Sequence, residues 1–124
     1  MHILDIICKI NDSVEKLDFA TARLYMEENL DVLGENKSHL KRNARDLLEF
    51  LTNQRDAGQE PLTRKEMAVI QSVNSYAANF DLRGLKVIVG DHPQVFLRND
   101  IEAYLNTDAR IILEGMGSVA KEKV

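Results

Sequence analysis

The side chains that most often carry out chemistry are few in this chain and lie far apart. The histidines are His2, His39 and His92, and the single cysteine is Cys8. None of them has a partner at the spacing of a zinc or di-iron site. His92 follows Asp91 in a predicted turn, where an acid–base pair is one interpretation and a solvated histidine is the simpler one. Cys8 lies in an isoleucine-rich segment, which predicts a buried, unreactive thiol.

Carboxylates and glycines also fail to form a recognisable site. Glu27, Glu28, Asp31 and Glu35 cluster near a predicted helix end, but a calcium loop also needs a glycine turn and carbonyl ligands at fixed spacing. A solvated acidic face is the simpler interpretation. No glycine-rich phosphate loop is present. We therefore expect no catalytic residue, no metal site and no cofactor, and predict that the protein is not an enzyme.

The most prominent polar pattern is basic. Lys37, Lys41 and Arg45 recur at intervals of four residues, and Arg42 lies beside them. This spacing predicts one face of a helix, near the end where the helix dipole disfavours positive charge. One interpretation is a binding surface for phosphate or for an acidic partner. The other is structural, with the same cations paired to the acids between residues 27 and 35 across a helical hairpin.

The distribution of charge keeps both interpretations open. Residues 1–35 carry three basic and eight acidic side chains, for a net charge of −5. Residues 36–65 carry seven basic and four acidic side chains, for a net charge of +3. The whole chain has a net charge of −4, which argues against general nucleic-acid binding.

Composition predicts a single cytoplasmic domain over residues 1–124. The 124 residues are 44% hydrophobic and 29% charged, as is ordinary for a globular protein. No run of eighteen apolar residues indicates a membrane span. A lone cysteine and an N-terminus without a basic leader favour a reducing compartment over secretion.

Helical periodicity dominates the first eighty residues. Apolar positions predict three helices within 1–55, packed as antiparallel neighbours, and a polar loop over 52–62. A fourth helix is predicted over 63–80, with Met67, Ile70, Val73, Ala77 and Phe80 facing inward. Its start is the best-defined point of the sequence, because Thr63 and Glu66 have the spacing of a capping box.

The pattern changes after residue 84. Residues 85–89 are short, rich in β-branched side chains and bounded by glycines, which predicts a strand, and residues 94–98 are predicted to return as the second strand of a β-hairpin over 85–98. A helix is predicted over 100–114, then a frayed polar tail over 116–124. The predicted fold class is mainly α (α+β): a four-helix N-terminal bundle, a short β-hairpin and a C-terminal helix.

Two segments resemble known families. Residues 18–30, Asp-Phe-x-x-Ala-x-x-x-Met-x-x-x-Leu, resemble the second helix of a tetratricopeptide repeat, although Ile10 stands where that family has a small residue and no second copy follows. Residues 85–114 resemble the start of a response-regulator receiver domain, with Val-Gly-Asp-His-Pro at 89–93 similar to its acidic turn. The receiver resemblance implies a helix over 93–106 and a strand over 109–114. In that family the paired acids help bind magnesium, and a separate aspartate after the third strand accepts the phosphoryl group. Here Gly90 replaces one of the paired acids and no third strand follows in the sequence, so the resemblance implies a signalling partner that accepts no phosphoryl group.

Apolar surface predicts self-association. The stripe that contains Ile3, Ile6 and Ile10 is wider than one core face needs, and Val87 lies in the predicted hairpin, whose edge is open to pairing. We expect a homodimer through these residues.

The function predicted from the sequence is a small non-enzymatic interaction or regulatory protein that acts on another protein through a helical surface. A nucleic-acid-binding regulator that uses the basic face of residues 37–45 is the alternative. A degenerate receiver-like signalling partner is a further one. The sequence names neither the partner nor the process.

Overall fold

The computed structural model describes residues 2–119, which fold into α-helices and 3-10 segments without a β-strand. Within that range the helices are α1 (Ile3–Glu15), α2 (Phe19–Glu28), α3 (Leu30–Glu35), α4 (Arg42–Ala57), α5 (Arg64–Ala78), α6 (Leu82–Asp91) and α7 (Thr107–Met116). The 3-10 segments are Lys37–His39, Pro93–Leu97 and Ile101–Tyr104. Across the described residues, none of these helices has the length and apolarity needed to cross a membrane.

Side-chain caps explain where most of the helices begin. The predicted capping box is confirmed: the Thr63 amide donates to Glu66 Oε1 at 3.0 Å, and the Glu66 amide donates to Thr63 Oγ1 at 3.1 Å. The side chains of Asp18, Asp81 and Asn106 cap α2, α6 and α7, each by accepting a hydrogen bond from a backbone amide three residues later. The longest helix, α4, has no side-chain cap.

A shared hydrophobic core holds the helices together. α1 packs against α2 and α4, while α5 packs against α6 and α7. The segment Pro93–Leu97 lies between these groups and contacts α2, α4, α5 and α6. The largest side chains with no measurable exposure are Ile10, Met26, Leu33, Leu47, Val73, Leu85, Val89 and Leu113.

The predicted first strand, residues 85–89, is part of helix α6. Asp81 accepts a hydrogen bond from the Gly84 amide at 3.0 Å and starts this helix. Leu85 and Val89 are fully buried, whereas Val87 is 59% exposed. A strand would place these three side chains on one face, so the observed burial follows the helical period and the strand prediction is wrong.

The predicted second strand, residues 94–98, is also wrong. Pro93 starts a 3-10 segment in which Val95, Phe96, Leu97 and then Arg98 are all buried. Consecutive burial is incompatible with a half-exposed strand, whose side chains alternate between two faces. The β-hairpin over 85–98 is therefore absent, and the fold is all-α over the described residues.

Several predicted helix boundaries also change. The helix from residue 18 is interrupted at Asn29, whose side chain bonds the Tyr25 carbonyl at 2.9 Å. The region 1–55, predicted as three helices, contains α1 to α3 and most of α4. Because α4 continues to residue 57, the predicted loop over 52–62 is wrong over 52–57, and the predicted helix over 100–114 divides into a 3-10 segment and α7. Because residues 109–114 are helical, the strand implied by the receiver resemblance is wrong. Phe80, which is predicted to face inward, is 76% exposed. It lies beyond the end of α5 at Ala78, and its φ of 52° shows that the backbone has left the helical conformation there.

Residues 117–119 pack against the turn between α1 and α2. Leu17 adopts a left-handed conformation, with φ of 63°, and its carbonyl accepts a hydrogen bond from Ser118 Oγ at 2.7 Å. The Gly117 carbonyl accepts from the Ala20 amide at 2.9 Å. Ser118 and Val119 are buried, so the predicted frayed tail over 116–124 is wrong up to residue 119. Residues 120–124 lie outside the described part.

Two glycines of α6 allow a matched test of the helix packing. A Cβ on Gly84 would lie 2.7 Å from Tyr76 Cε1, whereas a Cβ on Gly90 would meet only Leu17 Cδ2 at 3.5 Å. Gly90→Ala should stabilise the fold by about 0.5–1 kcal/mol through helix propensity. The free energy of unfolding of Gly84→Ala should be about 1–3 kcal/mol lower than that of Gly90→Ala, because the added Cβ overpacks the contact with Tyr76. Urea denaturation measures both, and equal stabilities would contradict the close α5–α6 contact.

Gly117 should be intolerant of a side chain. Its φ is +80°, and a Cβ would lie 2.5 Å from Asp18 Oδ1. Backbone strain and the clash together predict a loss of about 2–3 kcal/mol for Gly117→Ala. Gly115→Ala is the control, because that glycine lies in α7, two residues earlier, with open space around it. The thermal unfolding of both variants tests the packing of residues 117–119, and similar melting temperatures would contradict it.

Candidate functional site

Two adjoining cavities form a surface groove along the second half of α1. The first, about 270 Å³, lies between α1 and the start of α4 and is lined by Lys41 and Arg42 among others. The second, about 380 Å³, lies between α1 and α6 and includes Val87. Val14, Glu15 and Asn43 line both cavities. We call the two together the α1 groove.

Asn11 sets the position of the basic end of the groove. Its Nδ2 donates to the His39 carbonyl at 3.3 Å, and its Oδ1 accepts from the Lys41 amide at 2.9 Å. These bonds attach the segment before α4 to α1. The amides of Arg42, Asn43 and Ala44, which form the first turn of α4, have no acceptor among the described residues. The positive end of the α4 dipole therefore opens beside the first cavity.

The acids expected to pair with the basic residues form no ion pair with them in the described structure. Glu27 pairs with Arg23, and Asp31 pairs with Arg55 at 3.0 Å. Lys41 makes one long contact, 3.6 Å, with Glu15, and both side chains are more than two-thirds exposed. Such exposed pairs contribute about 0–1 kcal/mol.

The other three predicted cations, Lys37, Arg42 and Arg45, form no ion pair within residues 2–119. The structural interpretation, in which the acids between 27 and 35 neutralise this basic surface, is therefore not observed in the described part of the chain.

The four predicted basic residues do not share one helix face. Lys37 lies in the 3-10 segment Lys37–His39, and Lys41 immediately precedes α4. Arg42 and Arg45 are in α4. Lys41 and Arg42 line the first cavity, whereas Lys37 and Arg45 line neither cavity. The four side chains are exposed around the start of α4 and form what we call the basic surface.

The residues predicted for self-association lie in two different environments. Ile6 and Ile10 belong to the core, with exposures of 8% and 0%, and Ile3 is half-buried against it. These side chains already make contacts within the chain. Val87 is exposed and lines the second cavity, so it lies in the same groove as Lys41 and Arg42. Residues predicted as two unrelated surfaces thus meet along α1.

The reactive side chains are placed as follows. Cys8 is exposed, which corrects its predicted burial, because the core-facing side of α1 carries the isoleucines. His92 ends α6 and is half-buried. In residues 2–119 no three His, Cys, Asp or Glu side chains converge in a way that would hold a metal ion.

One ion pair with a buried arginine was not anticipated from the sequence. The Arg98 side chain is 3% exposed and donates from Nε and Nη2 to Asp100, at 2.9 and 3.1 Å. These hydrogen bonds raise the pKa of Arg98 above its ordinary value. The pair joins two 3-10 segments beside a cavity of about 410 Å³ that Glu66 also lines. An Arg-x-Asp spacing is too common for the sequence to indicate this role.

No protein-family model, curated protein or solved structure shows a significant match to this chain.

Charge reversal at the start of α4 should stabilise the fold. Arg42 is the first residue of the helix and has no ion pair in the described structure, so a carboxylate there interacts better with the helix dipole. Arg42→Glu should raise the free energy of unfolding by about 0.5–1 kcal/mol at low salt. The gain should decrease as salt is added.

Arg45→Glu, beyond the first turn, is the control and should change stability by less than about 0.5 kcal/mol. Urea denaturation at two ionic strengths measures both variants. A loss of stability in Arg42→Glu would show that Arg42 supports the fold.

Proposed function

We propose that this chain is a non-enzymatic interaction protein that binds an acidic surface of another protein through the basic surface, with Lys41 and Arg42 at its centre. The observation that carries the proposal is the lack of internal acid partners for Lys37, Arg42 and Arg45 in the described structure. Exposed cations that are not neutralised by neighbouring acids keep their electrostatic field available to a partner.

Fold stability does not account for the position of these charges. Lys41 and Arg42 stand at the N-terminal end of α4, where the helix dipole disfavours positive charge by about 0.3–1 kcal/mol for each residue. The salt bridge of Lys41 is long and exposed. A charge that costs stability and completes no internal network is best explained by a contact outside the chain.

A protein partner is favoured over a nucleic acid. Glu15 lies beside Lys41, and Asp91 lies at the other end of the α1 groove. A nucleic acid would bring its evenly spaced phosphates along the whole groove, including against these two carboxylates, whereas a protein can place its separate carboxylates away from them. The adjoining apolar surface at Val87 also suits a protein interface, in which an apolar centre is bordered by polar residues.

Self-association stays a prediction. Ile6 and Ile10 are buried within the chain, which leaves Val87 as the exposed member of the predicted set. A homodimer through Val87 and a complex with another protein would use the same groove, so the two are alternatives at this surface.

The proposal is tested by comparing recovery from a native lysate with and without nuclease. The wild type, the variant Lys41→Glu/Arg45→Glu and the control Arg64→Glu/Lys65→Glu are used as tagged bait. The control reverses two exposed cations that also form no ion pair in the described structure. Mass spectrometry should find proteins that survive nuclease, are recovered with the control, and fall about tenfold with the first variant, as expected for lost charge complementarity.

Equal recovery with all three baits would contradict the proposal. Recovery that disappears after nuclease would instead assign the basic surface to nucleic acid. Circular dichroism of each variant shows that a loss of binding does not come from unfolding.

A further inference from the structure

The α1 groove combines two chemistries, and we infer that it receives a short segment of a partner protein in which an apolar side chain stands next to carboxylates. This inference rests on the proposed function, because Lys41 and Arg42 belong to both. It adds the chemical class of the segment and the position at which each of its parts binds.

The apolar half of the groove is built from α1, α6 and Pro93. Val87 is 59% exposed although its helix neighbours Leu85 and Val89 are fully buried. Leu17 lies opposite, in the turn after α1. An exposed valine beside the half-buried Leu17 forms a site into which one apolar side chain can be inserted, and covering that side chain removes apolar surface from water.

Gly90 keeps this half of the groove open. Its backbone is helical, so the conformation does not require glycine. A Cβ at this position would meet only Leu17 Cδ2, at 3.5 Å. The space beside Gly90 is therefore free of side chains and belongs to the 380 Å³ cavity. A larger residue at this position would fill the cavity without altering any charge.

Charged residues line both ends of the groove, and its charged half is the Lys41–Arg42 end. There Arg42 forms no ion pair in the described structure, and Lys41 is only weakly engaged by Glu15. In the second cavity Lys86 also forms no ion pair among the described residues, and the acids are Glu15 and Asp91. The positive charge is therefore concentrated beside Lys41 and Arg42, where the start of α4 adds to it.

These two halves together select among occupants. A basic segment would be repelled by Arg42 and Lys86, and a purely acidic one would leave Val87 in water. A segment with one apolar side chain between acidic residues places its apolar group against Val87 and its carboxylates toward Arg42 and Lys86. This arrangement follows the general pattern of an apolar anchor within a charged rim.

The test uses a phage-displayed library of random 12-residue peptides, selected on the complete wild-type chain. Enriched peptides are synthesised with a fluorescent label, and their Kd values are measured by fluorescence polarisation. We expect enriched sequences to contain an apolar residue flanked by Asp or Glu.

Two variants separate the two halves of the groove. Gly90→Leu fills the apolar half with no change of charge, and Arg42→Glu reverses the charge at the other end. Each should weaken binding about tenfold or more. Gly115→Leu is the matched control, because Gly115 is also helical and exposed, with nothing within 4 Å of its Cβ position. It should leave the Kd unchanged.

The outcomes distinguish this inference from the proposed function. Enriched peptides that are acidic, that need Arg42 and that bind Gly90→Leu as well as the wild type would overturn the groove inference and leave the proposed function standing. Basic enriched peptides, or no enrichment at all, would overturn both. Sedimentation velocity tests whether a second copy of the chain occupies the groove. A wild-type dimer that Gly90→Leu converts to a monomer would assign the groove to self-association and would overturn the inference that it binds a partner segment.

Circular dichroism and thermal unfolding of Gly90→Leu keep the result interpretable. If that variant fails to fold, Val87→Asp replaces it, since Val87 is an exposed position on the same cavity. Val87→Asp should also weaken binding about tenfold, and unchanged affinity would overturn the inference.

Discussion

The structure depends on the left-handed turn at Leu17. This residue takes a φ of 63°, which is unfavourable for a side chain larger than glycine, and it allows α2 to return along α1. Such a conformation persists only when its surroundings hold it. Here Asp18 caps α2 on one side, and Ser118 Oγ donates to the Leu17 carbonyl on the other. The turn at Leu17 and residues 117–119 therefore stabilise each other.

This constraint determines the shape of the α1 groove. Because the corner places Leu17 beside Gly90, the end of α1 faces α6 across an open space. Asn11, six residues earlier, attaches the start of α4 to the same helix. α1 therefore borders both the basic residues and the exposed valine, and their proximity results from their packing along this one helix.

The parts of the fold that could be predicted are those governed by local interactions. The start of α5 followed from Thr63 and Glu66, whose mutual hydrogen bonds need no other part of the chain. The β-hairpin prediction failed because β-branched side chains favour strands only when nothing else decides. In this chain the Asp81 cap and the burial of Leu85 and Val89 decide for a helix. The local sequence specifies neither which side chains of α6 are buried nor which helix packs against them.

The site was predictable only in pieces. The spacing of basic residues pointed to Lys41 and Arg42, and apolar character pointed to Val87, but nothing local places residues 41 and 87 on one groove. The exposure of Cys8 and the burial of Arg98 were missed for the same reason, since both are set by tertiary packing.

The bond between Ser118 and Leu17 also affects the order in which the groove can assemble during folding. It spans 101 residues of sequence, whereas the two Asn11 bonds that attach the start of α4 to α1 span 28 and 30 residues. Closing the longer loop costs more chain entropy. We therefore expect the basic side of the groove to form before the side that Leu17 borders.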